Sequence, residues 1–370
     1  VIVAIPLLTS VTLKPSYMNQ FAERLKSARV MAGLSLQDLA DKLENRVSKQ
    51  SLHKYEKGDF MPDSEMIGHL CDALGVRPDY FFRKEVVELE EIEFRKLTRF
   101  PSKSKSSLIE RTKDILARYL ELEEILNIET KFSINFQHQP IRSKEQVEEF
   151  VTKLRAQLNL GLDPIFNLIE LLEDNHIKVM EIPSEDSFDG LSAWANNKQV
   201  PVIVLNSSKL KSLDRKRFTA LHELGHLVLN LEGLTDKEKE KYCHYFAAAM
   251  LLPKDTLLKE VGRNRNKVLI PELGAIKKQY GISIQAIAYR MKDLEIISET
   301  YFKQFMFFIS QMGYKTEEPI EFDYKGQEES YRFNQLLLRA LAEEHISMSK
   351  AAALSNMKLA EFREKNLAIG

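Results

Sequence analysis

The chain has 370 residues, 53 Lys and Arg against 54 Asp and Glu, and a formal net charge of -1. That length allows two or three domains, and the balanced charge excludes a global basic field, so any nucleic-acid contact must come from a local patch. Two cysteines, Cys71 and Cys243, exclude a disulfide scaffold and fit a reducing, cytoplasmic setting, where each reads as a small core residue.

Residues 1–17 begin with an apolar run too short to span a bilayer and without a preceding Lys or Arg, so neither a membrane anchor nor a secretory signal is expected. They read as a loosely ordered extension, with the first helix opening at Met18. From 18 to 84 the pattern predicts five short helices. Ser35 followed by Asp38 marks a capping box before Leu36–Leu43. Ser48 opens a helix that runs to Glu56 and stops at Gly58. Pro62 precedes the next, Ser64–Leu74, and Asp79–Phe82 makes a last turn.

The Ser48 helix carries amides, hydroxyls and amines at its start. Such groups suit base edges and phosphates of double-stranded DNA. The runs Arg29-x-x-x-Gly33-x-Ser35-x-x-x-Leu39-Ala40 and Ser51-Leu52-x-x-Tyr55-Glu56-x-Gly58, with Leu70-x-x-Ala73-Leu74-Gly75-Val76, resemble the XRE and lambda-repressor-like helix-turn-helix family. The resemblance implies that Ser48, Lys49, Gln50, Ser51 and Lys54 meet DNA, that Gln37 touches a phosphate, and that Tyr55 and Glu56 are structural. A homodimer on a palindromic site is compatible with this family. A helical domain of the same fold that binds protein instead of DNA is the bland alternative.

Residues 85–130 read as a charged connector, in which Pro101 to Ser107 breaks the helical pattern. An amphipathic helix follows from Ile109 to Leu126, with Ile115, Leu116, Tyr119, Leu120 and Leu122 as its stripe. In 131–300, Lys144–Leu158 and Asp163–Asn175 read as helices, and Ile177–Ile182, Gly190–Ala195 and Val200–Leu205 as strands. A sheet edge in this position suits an extended peptide added as a further strand.

The helix beginning near Leu213 carries His222-Glu223-Leu224-Gly225-His226. Residues four apart share a helix face, so both imidazoles can address one ion, while Glu223 can reach a water beside it. Hydrolysis at such a site needs a third protein ligand and a position left for water. The next apolar helix offers Glu240 and His244, again four apart. Either could bind, with the other supporting it from behind. No third histidine follows at metzincin spacing. His176 and Tyr242 could stabilise an oxyanion, although no spacing selects them.

The full run, His222 to His226 and then Glu240-x-x-Cys243-x-x-Phe246-Ala247-Ala248-x-x-Leu251-Leu252-Pro253, resembles the ImmA/IrrE zinc metallopeptidases. The resemblance extends to the helix-turn-helix and to connector residues Phe94-Arg95-Lys96-Leu97. It implies His222, His226 and Glu240 as ligands of one Zn2+ per chain (Mn2+ being the alternative), Glu223 as the catalytic base, and a repressor or antitoxin-like protein as substrate. His244 departs from the family, which usually has Asn or Asp there. The rival is a transcription factor or antitoxin whose peptidase-like domain is a non-catalytic sensor or scaffold.

In the C-terminal part, 301–370, Glu318–Asp323 reads as a strand, Arg332–Glu343 and Ser347–Glu364 as helices, the last a capping pair packed on the peptidase domain. The expected class is α+β, mostly helical: a five-helix DNA-binding domain, a zincin-like domain with a small sheet, and a helical C-terminal region.

Overall fold

A computed structural model of the chain describes residues 15–83, 87–90, 101–129, 132, 134, 139–185 and 188–366. Residues 1–14 of the expected extension and the connector run Phe94 to Leu97 lie outside the described residues. The first five helical pieces are α1 (Pro15–Met31), α2 (Leu36–Lys42), α3 (Lys49–Lys57), α4 (Ser64–Leu74) and a 3-10 turn at Pro78–Phe82. The helix α1 opens three residues before the expected Met18, since proline is tolerated in a first turn. Ser35 and Asp38 form the expected reciprocal capping box, and α3 and α4 end on left-handed Gly58 and Gly75, φ 74 and 67.

A short strand, β1 (Leu89–Glu90), was not legible in the sequence. The long helix α5 (Ser102–Ile125) follows. The Pro101–Ser107 segment therefore starts this helix instead of interrupting it. Pro101 stands at the N-cap, where no backbone N–H is needed, and the Ser107 hydroxyl donates to Met31 O at 2.7 Å. Leu108, Thr112, Leu116, Tyr119 and Leu122 then form one buried face at helical spacing.

Next come α6 (Lys144–Gln157) and α7 (Leu168–Asp174), the latter shorter than expected because Asn167 caps it by accepting from Glu170 N. Strands β2 (Lys178–Glu181), β3 (Gly190–Ala195) and β4 (Val200–Leu205) complete a sheet of order β1-β3-β4-β2. The β3–β4 hairpin is antiparallel, with Ser192 opposite Ile203. Its turn runs through Asn196, Asn197 and Lys198 at φ 52, 55 and 60, a conformation Asn tolerates. β2 joins β4 in parallel, and β1 pairs antiparallel with the far end of β3, Leu89 to Ala195 and Glu90 to Trp194.

Six further helices are α8 (Leu213–Val228), α9 (Asp236–Leu251), α10 (Lys254–Val261), α11 (Ile270–Tyr280), α12 (Ile284–Asp293) and α13 (Glu299–Gln311). The expected strand at Glu318–Asp323 is instead a 3-10 turn, Ile320–Phe322. Pro319 removes a ladder donor, and the Glu318 carboxylate accepts from the N–H groups of Ile284 and Gln285 at 3.0 and 3.1 Å, capping α12. The chain ends with α14 (Arg332–Ala342), α15 (Met348–Leu354) and α16 (Leu359–Lys365).

The chain divides into two compact units. One comprises the described residues of Val1–Val87, Phe100–Leu126 and Leu337–Gly370, the other those of Glu88–Arg99 and Asn127–Leu336. The last two helices, expected to cap the peptidase domain, belong to the first unit, where they pack on α5. Lys350 pairs with Glu121, Arg118 donates to Leu354 O at 2.9 Å, and Arg77 donates to Met357 O at 2.6 Å. Within the first unit, Phe21, Leu25, Leu39, Leu52, Leu70 and Phe81 lie in one core. In the second, α6, α8, α9, α11 and α12 enclose a core that includes Leu224, Phe246, Leu251 and Met291. No described helix is long and apolar enough to cross a membrane.

Candidate metal centre

The apolar face of α8 sets its rotation. Ala220, Leu221, Leu224 and Val228 enter the core, which leaves His222 and His226 on the flank toward α9. Gly225, between the two imidazoles, lets α9 approach. A Cβ there would stand 3.1 Å from Phe246 Cδ1 and 3.3 Å from Cys243 Cα, tighter than side chains accept without a shift. This contact brings Glu240 across to the histidines.

His222 Nε2 and His226 Nε2 are 3.2 Å apart. Glu240 Oε2 lies 3.1 Å from the first, and Glu240 Oε1 lies 3.4 Å from the second. Ligand atoms at zinc–nitrogen and zinc–oxygen distances of about 2.0–2.1 Å stand about 3.3 Å apart around a tetrahedral ion. The two imidazole nitrogens and the two Glu240 carboxylate oxygens facing them stand at such spacings, and two nitrogens with one carboxylate suit zinc. A second grouping joins His222 and Glu240 to His244, with one ligand atom from each all lying within 4.8 Å of one another, and it too could hold an ion. His244 is exposed, its Nδ1 is 2.6 Å from Glu240 O, and its ring centroid is 4.2 Å from that of His222.

The imidazoles are well screened, with side chains 8% and 4% exposed, while Glu240 is 38% exposed. The cluster thus sits at the rim of the core, dry behind and open in front. Behind it, burial raises the Cys243 thiol above its ordinary pKa, opposed by a hydrogen bond with His226. Cys243 is core, as the sequence suggested, but it also touches a candidate ligand.

Glu223, one step around α8, is 1% exposed. The Ser192 hydroxyl donates to its Oε2 at 3.1 Å. Gly190, two residues earlier on the same face of β3, gives the strand room: a Cβ there would come within 2.7 Å of Thr219 Cγ2 and 3.0 Å of Glu223 Cγ. Sequence reasoning missed both residues, since only strand register, through period-two alternation, could have pointed to them. Of the two oxyanion candidates, Tyr242 donates to Arg142 O at 2.8 Å. His176 occupies a left-handed turn, φ 61, between α7 and β2.

The residues expected at DNA lie on α2 and α3. Lys49, Gln50 and Lys54 are exposed, and Ser51 is half-buried. Ser48 is occupied in capping: its Oγ accepts from Ser51 N at 3.1 Å and lies 3.0 Å from Ser51 Oγ. Gln37 donates to Asp41 Oδ1 at 2.9 Å on exposed α2. His53, which the sequence reading passed over, is also exposed on α3. Arg29 holds Glu56 with two bonds, 2.6 and 2.8 Å, and donates to Leu34 O at 2.8 Å. That fork locks α1, α3 and the turn before α2 together.

Comparison with known families agrees with the division of labour between these regions. Residues 172–292 match the family model of the IrrE N-terminal-like domain, peptidase family M78. Residues 22–87 match the family model of a helix-turn-helix domain. The chain therefore carries an XRE-type helix-turn-helix domain followed by a peptidase-family domain. A comparison with curated proteins gave no match.

Proposed function

We propose that this chain, which joins a helix-turn-helix domain to an IrrE N-terminal-like domain, is a DNA-binding transcriptional regulator with zinc-dependent endopeptidase activity. Its substrate would be a repressor or antitoxin-like protein. The observation that carries the enzymatic half is the convergence of the His222 and His226 Nε2 atoms, 3.2 Å apart, on the two Glu240 carboxylate oxygens at 3.1 and 3.4 Å, beside buried Glu223. His222, His226 and Glu240 would hold one zinc, with manganese as the alternative, and His244 would flank them. A zinc so bound lowers the pKa of its water and polarises a carbonyl.

The chain's own groups supply the rest. Glu223 takes the proton of the attacking water and passes it to the leaving amine. The substrate strand adds to an edge of the sheet that precedes α8. Lys49, Gln50, Ser51 and Lys54 address double-stranded DNA, with Gln37 at a phosphate and Ser48 fixing the helix start. A homodimer would place two such helices on a palindromic site. The reduced cytoplasm suits the free thiols of Cys71 and Cys243.

The test is metal analysis of the purified chain followed by incubation with the repressors and antitoxins encoded beside its gene. About one zinc per chain is expected, and Glu223→Gln should keep that zinc while abolishing cleavage. Cleavage by Glu223→Gln at the parent rate overturns the mechanism. A zinc-loaded chain that cleaves none of these proteins favours the sensor or scaffold reading.

A further inference from the structure

We infer that Ser192 is a positioning residue for Glu223, its hydroxyl holding the carboxylate in the orientation from which it accepts a proton. The inference rests on the reading of Glu223 as base given above. Gly190 and Ser192 alternate onto one face of β3, and both meet the same side chain. Gly190 admits the Glu223 stem, since a Cβ would stand 3.0 Å from its Cγ, and Ser192 Oγ meets the carboxylate at 3.1 Å. Ser192 and Glu223 are 2% and 1% exposed, so the bond lies away from competing water and is stronger for it.

The holder is itself held. Ser192 stands in the middle of β3, opposite Ile203 of β4, and β4 is buried along its whole length. A glutamate side chain has three rotatable bonds and loses much rotamer freedom when fixed. A donor mounted on a paired strand fixes it before substrate arrives. The bond does not block proton transfer, because a carboxylate offers about four acceptor positions on its two oxygens. The hydroxyl makes Glu223 ready without touching the reacting atoms itself.

The test uses the full chain loaded with Co2+ and titrated with acetohydroxamate, whose hydroxyl proton needs an acceptor beside the metal. Binding is read from the cobalt spectrum, with metal content and urea midpoint measured on each variant. Glu223→Gln should weaken acetohydroxamate by more than about tenfold, and Ser192→Ala by about tenfold, the low end of what a supporting residue contributes at a metal site. Ser192→Thr, which keeps the hydroxyl, should bind within about twofold of the parent. Metal content should be unchanged throughout.

If Ser192→Ala binds like the parent while Glu223→Gln does not, Ser192 has no positioning role and the base assignment stands. Parent-like binding by Glu223→Gln removes the base assignment and this inference with it. A Ser192→Ala variant that loses its metal, or a Ser192→Thr variant as weak as the alanine one, makes the role structural and overturns the inference.

Discussion

The helices α3 and α8 carry the two candidate functions, and they follow opposite rules. In α3 only Leu52 is buried, and Lys49, Gln50 and Lys54 stand in water with no desolvation to offset. In α8 the charged residues Asp214, Lys216, Arg217 and Glu223 are buried with His222, and each needs a partner there. The partners come from far along the chain. Arg217, fully buried, pairs with fully buried Glu328, whose other oxygen accepts from Leu168 N at 2.9 Å. Lys216 reaches Glu181 at 2.6 Å. Asp214 lies 3.7 Å from Lys277, which binds Glu318 at 2.9 Å. Burial raises the Asp214 carboxyl above its ordinary pKa, with Lys277 opposing. A helix whose polar face stands in water can thus be built within one local module. A helix set in a core, such as α8, is held by residues brought in from distant parts of the chain, here 35 to 111 positions away.

The sharpest way to break that contrast is to unpair α8. Glu328→Ala leaves Arg217 charged and buried, and should cost about 3–5 kcal/mol in urea denaturation. A cost below about 1 kcal/mol, the scale of a surface pair, would mean that α8 does not depend on its distant partner.

On α3 the expected effect is on binding alone. Lys54→Ala should weaken DNA uniformly across sequences and reduce the slope of log K against log salt by about 1, with the urea midpoint unmoved. An unchanged slope would take α3 off the phosphates.

The smallest effect sharpens the local side of the comparison. The Asp38 carboxylate is held down to about 2, chiefly by the Ser35 N–H and next by Lys103. Its folded pKa lies below the ordinary 3.8, so the stabilisation is present above that value and fades as pH falls toward about 2. Asp38→Asn should remove this part of the acid slope in the thermal midpoint of the chain, and a slope identical to the parent's would deny the capping box a role.

The local devices were legible for a physical reason. The Ser35–Asp38 box, the Ser48 cap and the Gly58 stop are fixed by residues within three or four positions, the range over which a helix end satisfies its own N–H and C=O groups. Breaker residues misled in the other direction. Pro101 and the Ser/Lys run look like a loop, but a proline ahead of the first turn suits a helix. Glu318–Asp323 has strand-like composition, yet Glu318 is committed to α12 and Lys277. The two-residue strand β1 is too short for any periodicity to reveal.

The sequence by itself determined the spacing of His222 and His226, the step to Glu223, and the shared face of Glu240 and His244, because 3.6 residues per turn places them before any packing occurs. Only the tertiary structure brought Glu240 within 3.1 Å of His222 and 3.4 Å of His226, where Gly225 permits close approach. It alone brought Ser192 to Glu223 and Glu328 to Arg217. Which strand face or loop meets a helix depends on how whole elements dock, and that is set by burying the apolar surface of many residues at once.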